Sequence, residues 1–338
     1  MYEVKRIAVT GAAGQIAYQL LFRIASGELF GPHQPVSLHL LDIEPCFESM
    51  RGVVMELEDC SYPLLKNIEV GIDPFIVFSE IDIAILIGSA PRMPGMERKD
   101  LIYKNAEIFV QQGMALNEVA KREVKVFVIG NPCNTNCLIT MNHAPNISRK
   151  QFYAMTRLDL NRAKYFLAKK VGVTVNEISQ MIIWGNHSST QVPDFEHVQI
   201  SGKPIADIIT DKNWLQEEFV ACIQQRGAAI IKARGKSSAA SAAKATLDFV
   251  QDLCLNPTHR DWFSTGICSD YNPYGIEENL VFSFPCILNQ SGTWEIIDNL
   301  SWSPFIEKKI AITRKELLEE RDLVRNLLKV KHLSLIHI

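Results

Sequence analysis

The sequence lacks long hydrophobic runs and a strong excess of charge of either sign, and each absence excludes a class of protein. No stretch reaches the roughly 18 consecutive apolar residues that a membrane-spanning helix requires. The 338 residues carry 35 Lys and Arg against 38 Asp and Glu, a net charge of −3, so we expect no nucleic-acid or membrane partner. With 47 % hydrophobic and 22 % charged residues, the composition is that of a globular protein rather than a disordered chain.

The sequence also has little that indicates a metal centre, a disulfide framework or a targeting leader. Its 8 cysteines are spread along the chain, and the one close pair, Cys133 and Cys137, has no histidine at ligand spacing. A metal or redox site at that pair stays open, but the pattern favours reduced structural thiols, and we expect no metal. Residues Met1 to Arg6 run directly into a predicted strand without an apolar or Arg/Ser-rich leader, so we expect a cytoplasmic protein.

Strand-like and helix-like segments alternate in the first half of the chain. Nearly continuous apolar runs at 7–10, 36–41, 81–87 and 124–129 predict buried strands, and the segments 15–26 and 100–121 predict helices. Buried apolar strands separated by helices are typical of a parallel sheet that is covered on both faces. The pattern therefore predicts an α/β fold with a doubly wound parallel (Rossmann) sheet.

The pattern changes after about residue 155. Helices are predicted at 159–171, 214–232, 237–252 and 314–330, and antiparallel strands at 178–184 and 199–204. This mixture predicts a second, α+β domain. At about 150 residues per domain, we expect a first domain over residues 1–154, a second over 155–332 and a tail over 333–338.

A glycine-bearing turn follows the first predicted strand, with the spacing GxxGxxA. It consists of Gly11, Ala12, Ala13, Gly14, Gln15, Ile16 and Ala17. Glycines in such a turn allow backbone N–H groups at a helix N-terminus to approach a phosphate. The second strand ends at Asp42, where a carboxylate can bind ribose hydroxyls and repel a 2′-phosphate. A plain tight turn and a solvated acid remain alternatives, but together these features predict dinucleotide binding, with NAD favoured over NADP.

Three further segments place charged groups where loops or strand ends are expected. Arg92 and Arg98 lie in a Pro/Gly-containing loop after a predicted core strand, which is either a lid over a ligand or a solvated basic loop. Asp159 and Arg162 are three residues apart, so on a helix they share a face, as substrate-binding groups or as a local ion pair. His187 lies in a loop of small residues after an apolar strand, as a structural histidine or as a base oriented by a carboxylate.

Six blocks of sequence occur together in an order that is typical of one enzyme family. They are VTGAAGQIAY at 9–18, GMERKDL at 95–101, GNPCNTNC at 130–137, TRLDLNRAK at 156–164, IIWGNHSSTQ at 182–191 and QQRGAAIIKARGKSSAASAAKA at 224–245. The chain thereby resembles the malate dehydrogenases of the cytosolic type, within the lactate/malate dehydrogenase superfamily. The resemblance extends from residue 4 to about residue 325.

The resemblance implies a reversible, NAD-dependent oxidation of (S)-malate to oxaloacetate by hydride transfer in a homodimeric enzyme of the tricarboxylic acid cycle. His187 would accept the hydroxyl proton of malate, and Asp159 would orient it. Arg162 would bind the C1 carboxylate, Arg98 would polarise the C2 carbonyl, and Arg92 would bind the distal carboxylate. The first domain would then be the NAD-binding domain, and the second would be the catalytic domain.

The same resemblance implies a set of contacts with the cofactor. Asn131 would contact both substrate and cofactor, and its bond to Pro132 would be cis, while Ser241 would lie near the nicotinamide. The implied NAD-binding residues are Gly11, Ala12, Ala13, Gly14, Gln15, Ile16, Ala17, Asp42, Asn105, Gln112, Ile129, Gly130 and Asn131.

Three alternatives to a malate dehydrogenase remain. A dehydrogenase for another 2-hydroxy acid is disfavoured by Arg92, since an unpaired guanidinium facing a methyl group is costly. A catalytically silent NAD-binding protein is disfavoured because His187, Asp159 and all three arginines are present. A thiol-based metal-binding or structural role has only the cysteine pair to support it.

The stretch 45–51 departs from the family pattern, and we expect the tail to be disordered or an added edge strand.

Overall fold

The computed structural model describes residues 2–90, 98–255, 261–289 and 292–328, and at position 98 it describes the backbone alone. A nine-stranded sheet runs through this part of the chain. The first half contributes β1 (Lys5–Thr10), β2 (Val36–Leu41), β3 (Leu65–Gly71), β4 (Ile83–Leu86), β5 (Lys125–Val128) and β6 (Phe152–Ala154). These six strands are parallel and lie in the order β3-β2-β1-β4-β5-β6, the doubly wound arrangement that binds dinucleotides at its switch point.

Helices cover both faces of this parallel sheet. In the first half they are α1 (Gln15–Ala25), α2 (Phe47–Asp59), α3 (Pro74–Val77), α4 (Arg98–Val119) and α5 (Cys133–Asn142). One apolar cluster packs α1 and α2 against one face, and a second packs α3, α4 and α5 against the other. All six residues of β2 and all four of β4 are buried, because a strand covered on both faces presents no side to solvent.

The second half adds two small sheets and extends the large one. Its strands are β7 (Ile178–Ser179), β8 (Ile182–Trp184), β9 (Val192–Asp194), β10 (Gln199–Ile200), β11 (Lys203–Pro204), β12 (Phe263–Cys268), β13 (Val281–Leu288) and β14 (Trp294–Ile296). Its helices are α6 (Arg157–Val171), α7 (Val220–Arg234), α8 (Ala240–Cys254), α9 (Pro304–Leu323) and α10 (Arg325–Leu328). β12 pairs antiparallel with β6, and β13 and β14 follow, so one hydrogen-bonded sheet joins the two halves.

The predicted fold class is confirmed, a doubly wound parallel sheet followed by a mixed α/β segment. Five elements of the first half were not predicted: α2, β3, α3, α5 and β6. β3 is an edge strand with polar and half-exposed residues, so it lacks the continuous apolar run that marks its neighbours. The stretch 45–51 forms a short 3₁₀ turn (Glu44–Cys46) and the start of α2.

The helices predicted in the second half occur with different bounds. A π-helical turn (Trp214–Phe219) precedes α7, which ends at Gly235 in the left-handed region at φ +72°. α9 begins ten residues before the predicted start at 314, where the Ser303 side chain caps it by accepting from the backbone N–H of Ile306. The tail at 333–338 lies outside the described residues, and the division at residues 154 and 155 stays a prediction.

Candidate active site

A histidine and an aspartate that lie 28 positions apart in the second half of the chain meet in the fold. Asp159 lies in the first turn of α6 and is fully buried, and His187 lies in the loop after β8. The Nδ1 atom of His187 is hydrogen bonded to Oδ2 of Asp159. Because an ionised carboxylate only accepts, Nδ1 carries the proton in this bond and Nε2 is left as the acceptor.

The charge of Asp159 is stabilised by its two partners. Burial by itself raises the pKa of this carboxyl, but His187 and Arg162 outweigh burial, so the pKa of Asp159 lies below its usual range. The aspartate is therefore ionised at neutral pH. An ionised carboxylate at Nδ1 fixes the tautomer in which Nε2 is free to take up a proton.

Arg162 follows one turn later on the same face of α6. Its Nη1 lies 3.2 Å from Oδ1 of Asp159, and its Nη2 lies 3.4 Å from Oγ of Ser238, with 12 % of its side chain exposed. Burial lowers the pKa of the Arg162 guanidinium against the opposing effect of Asp159, yet a guanidinium stays protonated in proteins. The structure thus brings a fixed cation, a carboxylate and an imidazole together.

Residues that the sequence reasoning missed hold the loop that carries His187. The backbone N–H of His187 donates to Oδ1 of Asn134 at 2.9 Å, and Nδ2 of Asn134 donates to the carbonyls of Gly185 and Val281 at 3.2 and 2.9 Å. Asn134 is fully buried. The only signal in the sequence was its position within the block GNPCNTNC.

The glycine-bearing turn forms an open cradle at the N-terminus of α1. Gly11 has φ +65°, and a Cβ there would lie 2.8 Å from Cα of Gly88, so the ends of β1 and β4 approach too closely for any side chain. Gly14 precedes α1, and no side chain of the described residues caps its first turn. Backbone N–H groups at such a terminus are suited to a phosphate, and the residues present therefore fit a dinucleotide.

Asp42 at the end of β2 is tied to this cradle. Its Oδ2 accepts from the backbone N–H of Ala13 at 2.9 Å, and its Oδ1 accepts from Ile43 at 2.8 Å. The carboxylate therefore stands beside the glycine-bearing turn, and its contact with a ribose stays a prediction.

Among the other residues implied as NAD contacts, Asn105, Ile129 and Gly130 lie at the carboxyl edge of the sheet. Asn105 is fully buried on α4, where its side chain bonds the backbone N–H of Ala90 at 2.7 Å and the carbonyl of Asn131 at 3.2 Å. The N–H groups of Ile129 and Gly130 both donate to the carbonyl of Leu86. Asn105 thus holds together the two loops that contain Ala90 and Asn131.

Three more residues that the resemblance implies near the cofactor, Gln112, Asn131 and Ser241, differ from one another in burial. Gln112 is buried on α4, and its Oε1 has no hydrogen-bond partner among the described residues. The Asn131 side chain is exposed, and the predicted cis bond to Pro132 is confirmed. Ser241 is exposed in the first turn of α8. Arg92 and the Arg98 side chain lie outside the described residues.

Two family models match nearly the whole chain. One, described as the NAD binding domain of lactate/malate dehydrogenase, matches residues 5–153, and the other, described as the alpha/beta C-terminal domain of the same family, matches residues 156–327. This chain belongs to the lactate/malate dehydrogenase family. The cradle at α1 therefore lies within the NAD binding domain, and NAD is the cofactor of this family member.

Curated relatives align with almost the whole length of this chain. A malate dehydrogenase of Protochlamydia amoebophila is 55 % identical over 96 % of this chain and 98 % of its own length. A chloroplastic NADP malate dehydrogenase of Flaveria bidentis is 50 % identical over 96 % of this chain and 72 % of its own length.

Solved structures of the family superpose closely on it. A malate dehydrogenase of Naegleria fowleri has a TM-score of 0.93 and 44 % identity, covering 97 % of this chain and 99 % of its own. A Trichomonas vaginalis lactate dehydrogenase, solved in complex with NADH and oxamate, has a TM-score of 0.91 and 39 % identity, covering 96 % of this chain and 99 % of its own.

The described residues contain neither a membrane-spanning helix nor a cluster of metal ligands. Within the described ranges, no helix combines the length and apolarity that crossing a membrane requires. No group of three or more His, Cys, Asp or Glu side chains in that part of the chain is arranged to hold a metal ion. All eight cysteines are free, and burial raises the pKa of the Cys133 and Cys137 thiols, which keeps them protonated and unreactive.

Proposed function

We propose that the protein is an NAD-dependent malate dehydrogenase that interconverts (S)-malate and oxaloacetate. The observation that carries the proposal is the meeting of His187, Asp159 and Arg162 in a family member that has an NAD binding domain. The relatives and solved structures named as malate dehydrogenases support the choice of substrate.

The chain's own residues perform the proton transfer. In malate oxidation, Nε2 of His187 accepts the proton of the C2 hydroxyl, and Asp159 keeps the imidazole in the required tautomer and stabilises the imidazolium. NAD, when bound, supplies the hydride acceptor. In the reverse direction the imidazolium returns the proton to the oxygen of oxaloacetate.

Arg162 supplies the cation that orients the substrate. Its guanidinium is held at one edge by Asp159 and leaves further N–H donors for a carboxylate, which a planar fork binds with two parallel hydrogen bonds. We assign it the C1 carboxylate. By the family resemblance, we assign Arg98 to polarisation of the C2 carbonyl, Arg92 to the distal carboxylate and Asn131 to both substrate and cofactor.

Asp42 is the basis for preferring NAD over NADP. Its carboxylate, held by Ala13 and Ile43 beside the phosphate cradle, would repel a 2′-phosphate. Because the relative of Flaveria bidentis is named for NADP, the ratio of kcat/KM with NADH to that with NADPH is the measurement that tests this preference. The contacts of Asn105, Gln112, Ile129 and Gly130 with NAD stay predictions.

A lactate dehydrogenase is the second candidate, because one solved structure with a TM-score of 0.91 bears that name. Arg92 favours malate dehydrogenase activity. A second guanidinium matches the second carboxylate of a four-carbon diacid, and it has no partner on lactate or pyruvate. Replacing Arg92 by Gln should lower the preference for oxaloacetate over pyruvate, and an unchanged ratio would refute that assignment.

The decisive experiment follows NADH oxidation with oxaloacetate, with pyruvate and NADPH as controls. We expect oxaloacetate with NADH to be turned over fastest. Faster turnover of pyruvate would favour the lactate dehydrogenase, and no turnover of either acid with retained NADH binding would indicate a silent NAD-binding protein. His187→Ala should keep NADH binding and lose turnover by about 10²–10⁴-fold.

Four further properties complete the proposal. We propose that the protein acts as a homodimer, that it resides in the cytoplasm, and that it is of the cytosolic subtype and serves the tricarboxylic acid cycle. Light scattering at micromolar concentration tests the dimer, and cell fractionation tests the location.

A further inference from the structure

Glu316 on α9 contacts the loop that carries His187. Its Oε2 accepts hydrogen bonds from Nδ2 of Asn186 at 2.9 Å, from Oγ1 of Thr190 at 2.6 Å and from Oγ of Ser188. These donors stand on both sides of His187 in the sequence. One carboxylate therefore gathers the residues that flank the proposed proton acceptor.

The same face of α9 makes a second contact with this loop. Thr313, one turn before Glu316, is fully buried, and its Oγ1 accepts from the backbone N–H of Asn186 at 2.9 Å. Its hydroxyl also lies 3.0 Å from that of Thr190. A Cβ at Gly185 would lie 2.2 Å from Cγ2 of Thr313, so the loop backbone rests directly on the helix.

A third residue of this face connects the loop to the NAD-binding segment. Glu320 accepts from Nδ2 of Asn186 at 3.0 Å and also from the hydroxyl of Thr135 on α5. Thr135 lies four residues after Asn131. The α9 face thus bonds both the His187 loop and the start of α5.

We propose that Glu316 is a positioning residue, which holds the 185–190 loop so that the His187 imidazole meets Asp159 and presents Nε2 to the substrate. The inference rests on the proposed function. Hydrogen bonds to a carboxylate are about twice as strong as neutral ones. A neutral amide at this position would hold the three donors less firmly, and an error of about 1 Å in the position of a reacting group can cost about 10²-fold in rate.

The test compares Glu316→Gln with a matched control on the same helix, Glu319→Gln. Glu319 is exposed and lies 3.8 Å from Lys315, away from the loop. Stopped-flow single turnovers of NADH with oxaloacetate give a hydride-transfer rate constant and an amplitude, and NADH titration gives its Kd. We expect Glu316→Gln to lower the rate constant by about 10–100-fold with the Kd unchanged, and Glu319→Gln to match the wild type.

A merely structural role predicts a different result. Loss of folded protein lowers the amplitude and leaves the rate constant unchanged, so that outcome overturns the inference, as does a wild-type rate constant in Glu316→Gln. Glu316→Asp keeps the charge and should recover part of the rate. If the wild type and Glu319→Gln both fail to turn over oxaloacetate, the proposed function falls and this inference with it.

Discussion

Gly185 offers a sharp test of how the His187 loop is fixed. Its φ of +90° lies in the left-handed region, and a Cβ there would lie 2.2, 2.4 and 2.9 Å from three side-chain atoms of Thr313. The left-handed conformation costs a residue with a Cβ about 1–2 kcal/mol, and overpacking of a closed site costs about 1–3 kcal/mol more. Gly185→Ala should therefore lower the free energy of unfolding by about 2–5 kcal/mol.

Gly172→Ala is the matched control for this prediction. Gly172 ends α6 with φ +75°, but nothing lies within 4 Å of its Cβ position, so only the conformational term of about 1–2 kcal/mol applies. Urea unfolding of both variants isolates the contact with Thr313 as their difference. Gly185→Ala should also reduce kcat, because relief of the contact moves Asn186 and His187. Equal destabilisation of the two variants, with normal kcat in both, would refute the close approach of the loop to α9.

The remaining predictions concern charge. Asp159→Asn removes the charge that stabilises the imidazolium of His187, so the single-turnover rate should fall by about 10²–10⁴-fold with NADH binding retained; a loss below about tenfold would contradict the pairing. Asp42→Ser should narrow the gap between NADH and NADPH in kcat/KM, and an unchanged gap would remove Asp42 from cofactor choice. The hydrogen bond to Asp194 raises the pKa of His197, so this pair stabilises the fold below the ordinary value of 6.5, and that contribution is lost as the pH rises through the raised pKa. Unfolding free energies between about pH 6 and 9 should therefore fall more for the wild type than for His197→Gln, and parallel curves would count against the pair.

The sequence predicted those elements whose burial leaves a local pattern. β1, β2, β4 and β5 are largely apolar and buried because helices cover both faces of the sheet. β3 was missed because an edge strand has one open side, so its polar residues Lys66, Asn67 and Glu69 break the run. The parallel sheet and the fold class followed from these four strands alone.

In the site as well, local spacing could be predicted from the sequence and long-range contacts could not. The three-residue spacing of Asp159 and Arg162 was readable, because helix geometry sets which residues share a face. The bond between Asp159 and His187 spans 28 positions and the contact of Asn186 with Glu316 spans 130, and no local spacing encodes either. The first was expected through the family resemblance, and the second came only with the folded chain.

The single sheet that joins the two halves limits how the protein can be divided. β6 pairs with β5 on one side and with β12 on the other, where Gly266 lies opposite Ala154 and a Cβ would come within 2.8 Å of the alanine methyl group. A fragment ending at residue 154 would present β6, with the aromatic side chains of Phe152 and Tyr153, as a bare sheet edge open to pairing with other copies. The boundary between the segments that the two family models match therefore lies within one hydrogen-bonded sheet, and we expect the first half, produced alone, to associate through this edge.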